Sequence, residues 1–102
     1  MQKYDAGFTA EGPWRGPLIA AIPDAQVKLR WIDRPFRWHV NAGEEVFVVL
    51  QGRVDMHVRS EAEPDSRVIP LEAGDLLHIL PGEAHVAHPR GEARILVVEG
   101  LA

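Results

Sequence analysis

The chain has 102 residues, 46% hydrophobic and 25% charged, which is the balance of one compact globular domain and not of a disordered segment. It contains no cysteine, so a disulfide scaffold, a zinc ribbon and a thiol nucleophile are all excluded. A net charge of −4 without any basic run excludes the electrostatic footprint of a nucleic-acid binder. Along the chain, turn signals built on Gly, Pro, Asn and Asp recur about every ten residues, the spacing of an all-β sandwich or barrel. Residues 1–25, with Trp14 and Arg15, read as an N-terminal strand or arm packed on the barrel or on a partner. Residues 26–100 read as the barrel, and the whole chain, 1–102, as one domain. Residues 26–32 alternate, with Val27, Leu29 and Trp31 on one face and Lys28 and Arg30 on the other. Residues 45–50 form a continuous apolar run, the pattern of a strand covered on both faces. Gln51-Gly52 reads as a tight hairpin turn into a second alternating strand, 53–59. A polar loop over 61–66 leads to shorter strands at 67–71 and 76–80. Pro81-Gly82 then turns the chain, and 94–99 is a last apolar strand. The longest apolar runs have five residues, against about 20 for a membrane helix. The opening residues hold no apolar signal core. The expectation is a cytoplasmic protein without membrane or nucleic-acid partners.

Polar residues from two turns are placed to converge. His39 and Asn41 share parity before the turn at Ala42-Gly43, and Glu45 opens the apolar strand with Phe47 and Val49 on its own side. His85 follows the Pro81-Gly82 turn. Two imidazoles and a carboxylate meeting inside a barrel make a site for a divalent transition metal, and three protein ligands leave positions open for water or substrate. Spacing alone equally allows three polar side chains on loop ends.

These residues carry a resemblance. The chain resembles small single-domain members of the cupin superfamily. The first cupin motif sets two histidines, a glutamate and a glycine in order, and His39, Glu45 and Gly52 stand at matching spacing. Asn41 occupies the place of the second histidine. The second motif is matched by Gly74, Gly82 and His85, with Leu80 where a proline is usual and Pro81 one residue later. The resemblance implies an all-β double-stranded β-helix, a jelly-roll-like barrel. It implies metal ligands at His39, Glu45 and His85, with Asn41 as a weaker neutral fourth ligand, a hydrogen-bond partner of bound water, or a gap. The metal would be Zn, Fe, Mn or Ni. It implies a small-molecule ligand or substrate and a homodimer paired through a sheet's outer face, for which Val46, Val48 and Leu50 are suited. The activity is either that of a metal-dependent enzyme on a small oxygenated molecule or that of a non-catalytic ligand-binding barrel. Fold does not choose between them.

Phe47, Val49 and His88 are expected to line the pocket, His88 from its rim, with His88 and Glu83 as candidate proton-transfer groups by proximity in sequence. His57 is expected on an exposed polar face and His78 as a satisfied buried histidine. Arg37, Arg53 and Arg59 either keep strand edges soluble or meet an anionic substrate.

Overall fold

The computed structural model describes residues 1–101, which form eight strands. They are β1 (Leu18–Ile22), β2 (Ala25–Ile32), β3 (Glu45–Gln51), β4 (Arg53–Arg59), β5 (Arg67–Glu72), β6 (Leu76–Ile79), β7 (Ala84–Pro89) and β8 (Ala93–Gly100). The order β1-β2-β8-β3-β6 makes a five-stranded sheet and β5-β4-β7 a three-stranded one, antiparallel throughout. This is the all-β two-sheet barrel expected from the sequence. Among the described residues no helix is long and apolar enough to cross a membrane. Gly52 turns β3 into β4 at φ +87°, and a Cβ there would sit 2.4 Å from the Glu92 carbonyl oxygen, so only glycine fits. Pro70, which cannot donate to a ladder, lies on the edge strand β5.

The core lies between the sheets. Phe47 and Val49 of β3 point into it, as do Val54, Met56 and Val58 of β4 and Ala93, Ile95 and Val97 of β8. Each such side chain contributes roughly 1.5–3 kcal/mol on burial, Ala93 less. The alternation in β4 thus has its dry face inward, as the sequence pattern suggests. In β3 the structure departs from expectation. Val46, Val48 and Leu50 face outward and are only half-buried, so one side of this strand is not covered.

In β2 the dry face is the outer one. Lys28 and Arg30 register with the buried Val97 and Ile95 and share their inward face. Val27, Leu29 and Trp31 face outward, where the N-terminal arm covers Leu29: its amide donates to the Pro17 carbonyl at 3.0 Å. A hydrogen-bonded bridge between Arg15 and Trp31 continues this pairing and carries Trp14 to the barrel mouth. His78 departs from the buried position expected of it. It registers with Val46 on the outer face and is exposed, with Nε2 2.7 Å from Glu44 Oε1. A parity that places it beside the buried Ile79 turns its ring away from the core.

Candidate metal centre

His39 lies on a short extended segment running beside β7. Its amide donates to the His85 carbonyl at 3.1 Å, and the His85 amide donates back at 3.0 Å. Residues paired in this way project to the same side of the ladder. The two imidazoles therefore stand together inside the barrel, with ring centroids 4.2 Å apart. Glu45, the first residue of β3, reaches them from the other sheet, with Oε1 3.6 Å from His85 Nε2. One potential ligand atom from each of His39, Glu45 and His85 lies within 4.8 Å of the other two. Glu45 and His85 are buried and His39 is half-buried.

Each imidazole is oriented by a backbone carbonyl two residues earlier. His39 Nδ1 lies 3.0 Å from Arg37 O, and His85 Nδ1 lies 3.0 Å from Glu83 O. A carbonyl only accepts, so each Nδ1 carries the proton in the neutral ring and each Nε2 keeps its lone pair. This is the outer arrangement typical of metal-ligating histidines. His85 Nε2 is a buried side-chain polar atom with no hydrogen-bond partner among the described residues. Its 3.6 Å approach to Glu45 is too long for a hydrogen bond and becomes an ion pair only when His85 is protonated. Glu45 Oε1 accepts from Asn41 Nδ2 at 2.5 Å. Asn41 is thus beside the cluster, with its amide nitrogen turned to the carboxylate.

The electrostatics follow from burial and partners. Burial works against the charge on Glu45, yet contact with His85 and the Asn41 hydrogen bond outweigh it and hold the carboxyl below its ordinary value. Burial likewise opposes a charged His85, and Glu45 together with the Glu83 carbonyl outweighs it and raises the imidazole. Two nitrogens with free lone pairs and one carboxylate form a donor set that suits a divalent transition metal.

The cluster opens into a cavity of about 310 Å³, within the range of small-molecule sites. Phe47, Met56, Ala87 and Val97 make its apolar lining, and Trp14 and Phe36 stand over it with rings 5.7 Å apart. Lys28, Arg30 and Glu99 supply its other charged groups. Of the residues expected to line the pocket, Phe47 does so. Val49 shares its face but lies one row deeper, fully buried in the core. His88 is on the outer face of the three-stranded sheet, its ring tilted against that of a half-buried His57 with centroids 4.1 Å apart, because it is an odd number of residues from His85 on a regular strand. Arg37 and Arg59 lie over Phe36 and Trp38, and Arg53 is 3.9 Å from Glu72; none lines the cavity. Trp14, expected to pack on the barrel or on a partner, reaches the cavity, and Lys28, Arg30 and Glu99 line it without having been expected there. The strict alternation of 26–32 isolated Lys28 and Arg30 on one face without telling which face is inside.

The Cupin domain family profile (Cupin_2) matches residues 33–99. Among solved structures, a cupin-2 domain containing protein from Shewanella frigidimarina is 29% identical with a TM-score of 0.77, over 89% of this chain and 84% of that one. A cupin superfamily protein from Desulfitobacterium hafniense is 16% identical with a TM-score of 0.78, over 95% and 87%. A hydroquinone 1,2-dioxygenase from Sphingomonas sp., solved with 4-hydroxybenzoate bound, is 17% identical with a TM-score of 0.80, over 91% of this chain and 29% of that one. No curated protein matches the chain.

Proposed function

The chain belongs to the cupin family, and from that premise we propose that His39, Glu45 and His85 hold a divalent transition metal at which a small oxygenated molecule is bound or transformed. The observation that carries this is His85 Nε2, buried without a hydrogen-bond partner beside Glu45 and His39. An unpartnered buried polar atom costs about 1–3 kcal/mol, and a cation between these donors would remove that cost. Hydroquinone 1,2-dioxygenase, of the same fold, is known with Fe3+ and with Cd2+, which supports a metal without selecting the element. Zn, Fe, Mn and Ni all accept two imidazoles and a carboxylate. A metal so held supplies Lewis acidity to a coordinated oxygen.

The chain's own residues do the rest. The Arg37 and Glu83 carbonyls fix the tautomers, and Asn41 holds Glu45 in place as a positioning residue. Trp14 and Phe36 restrict water at the mouth. The test is elemental analysis of protein purified without chelator, beside His39→Ala and His85→Ala. Near-stoichiometric metal in the parent protein, lost in both variants, is expected. A parent protein that takes up none of the four metals when supplied with each overturns the reading.

A second reading, a ligand-binding barrel without turnover, is favoured by Glu99. This other carboxylate of the cavity is tied to Lys28 at 2.8 Å and is not free as an acid or base. Ligand-induced stabilisation without product formation distinguishes it. A homodimer through the outer face of the five-stranded sheet, and a cytoplasmic setting suited to a chain without cysteine, belong to the same proposal.

A further inference from the structure

Two cations stand where a barrel least tolerates them. On β2 the apolar residues face outward, and Lys28 and Arg30 face the interior. Withdrawing a charge from water is costly unless an opposite charge or hydrogen bonds offset it. Lys28 has its partner, with Nζ 2.8 Å from Glu99 Oε2. Arg30 forms no ion pair among the described residues. Its Nη1 donates to the carbonyls of Gly16 and Leu29 at 2.9 and 2.8 Å, and its Nε and Nη2 make no hydrogen bond among those residues. Burial lowers its pKa, and Glu99 offsets this in part.

The Gly16 contact is built in. A Cβ at Gly16 would lie 2.1 Å from the Leu29 carbonyl oxygen, so glycine alone lets the arm approach closely enough for its carbonyl to take Arg30. A guanidinium anchored on one nitrogen keeps its remaining donors in a fixed fork, the geometry that matches a carboxylate. Lys28 and Glu99 pair with each other, and Arg30 is the cavity cation that has no carboxylate partner among the described residues. One guanidinium fork among apolar walls matches a single carboxylate on an apolar body.

We propose that the cavity takes a small monocarboxylate, its carboxylate on Arg30 and its apolar body against Trp14, Phe36 and Phe47. This names the ligand class of the site proposed above and rests on that reading for the cavity's role, though not for the Arg30 contact.

Trp14 on the cavity wall provides a fluorescence signal. The protein as purified is titrated with benzoate, phenylacetate and hexanoate, each beside its neutral amide. At least one acid is expected to bind, tighter than its amide by about tenfold or more, the scale of a charge-assisted contact. In Arg30→Gln that preference disappears while metal content matches the parent protein. Arg30→Lys retains part of it. Binding by none of the acids, equal binding of acid and amide, or a preference that survives Arg30→Gln overturns the proposal. If Arg30→Gln fails to fold by circular dichroism, the acid–amide comparison on chelator-treated parent protein decides. A preference that persists supports Arg30, and one lost with the metal overturns it. Acid preference through Arg30 in a protein that holds no metal sinks the metal reading alone. Metal without acid preference sinks this one alone.

Discussion

At the scale of single residues, the cluster couples protons to metal. In the metal-free protein His85 is raised above the ordinary imidazole value of 6.5 and Glu45 is held below the ordinary carboxyl value of 4.5. A raised folded value means that His85 contributes stability fully below about pH 6.5 and loses it as pH rises through that raised value. A depressed folded value means that Glu45 contributes above about pH 4.5 and loses it as pH falls through the lowered value. The pair therefore stabilises the metal-free chain most between those values. Metal needs the neutral imidazole, so apparent metal affinity should already decline as pH falls toward 6.5 from above. Metal titrations between pH 8 and 5.5, beside thermal melts of chelated protein, check both signs; an affinity flat across that interval would contradict the coupling. The meeting of His39, Glu45 and His85 was legible through the two motifs that carry the cupin resemblance, since spacing alone also allows three side chains on loop ends. Strand parity already sets His88 opposite His85, and the regular β7 ladder carries its ring to the outer face beside His57 and away from the expected rim position.

Among the elements, strand positions were readable and their sidedness was not. Turn residues located β3, β4 and β8 closely, with alternation marking β4 and apolar runs marking β3 and β8. The pattern of β2 has two faces of opposite character, and ordinary partition would bury Val27, Leu29 and Trp31. The structure buries Leu29 under the arm and gives the barrel interior to Lys28 and Arg30. Only long-range pairing with β8 decides this, and such pairing leaves no local trace in sequence. The arm–β2 junction is testable by itself. In Gly16→Ala, the added methyl meets backbone rather than a movable side chain. Destabilisation of about 1–3 kcal/mol is expected, the usual range for overpacking. It should come with a red shift of tryptophan emission as Trp14 leaves its hydrogen bond to the Arg34 carbonyl. Unchanged stability and emission would show that the arm tolerates displacement.

For the whole molecule, the outer face of the five-stranded sheet is unusually apolar. Val46, Val48 and Leu50 adjoin Leu96 and Val98, half-buried, and Leu76 is 68% exposed. Apolar residues in a continuous patch mark association surfaces. Light scattering after size exclusion should give about twice the 11.3 kDa chain mass, and Val48→Glu should return a particle of one chain. A single-chain mass for the parent at micromolar concentration would remove the dimer. The continuous apolar runs of β3 and β8 supply this face, and in the structure those strands are covered on one side only.

The meeting of residues 39 and 85 has a consequence for how this cysteine-free chain is fastened. Everything from β3 through β6 is an excursion that leaves near His39 and returns at His85. A cation coordinated by both would cross-link the two ends of that excursion, with Glu45 as a third tie. Unlike a disulfide, this fastening would come undone with a chelator and strengthen with free metal, by about 2.7 kcal/mol at a hundredfold excess over Kd. The folded population would then follow metal supply rather than redox state.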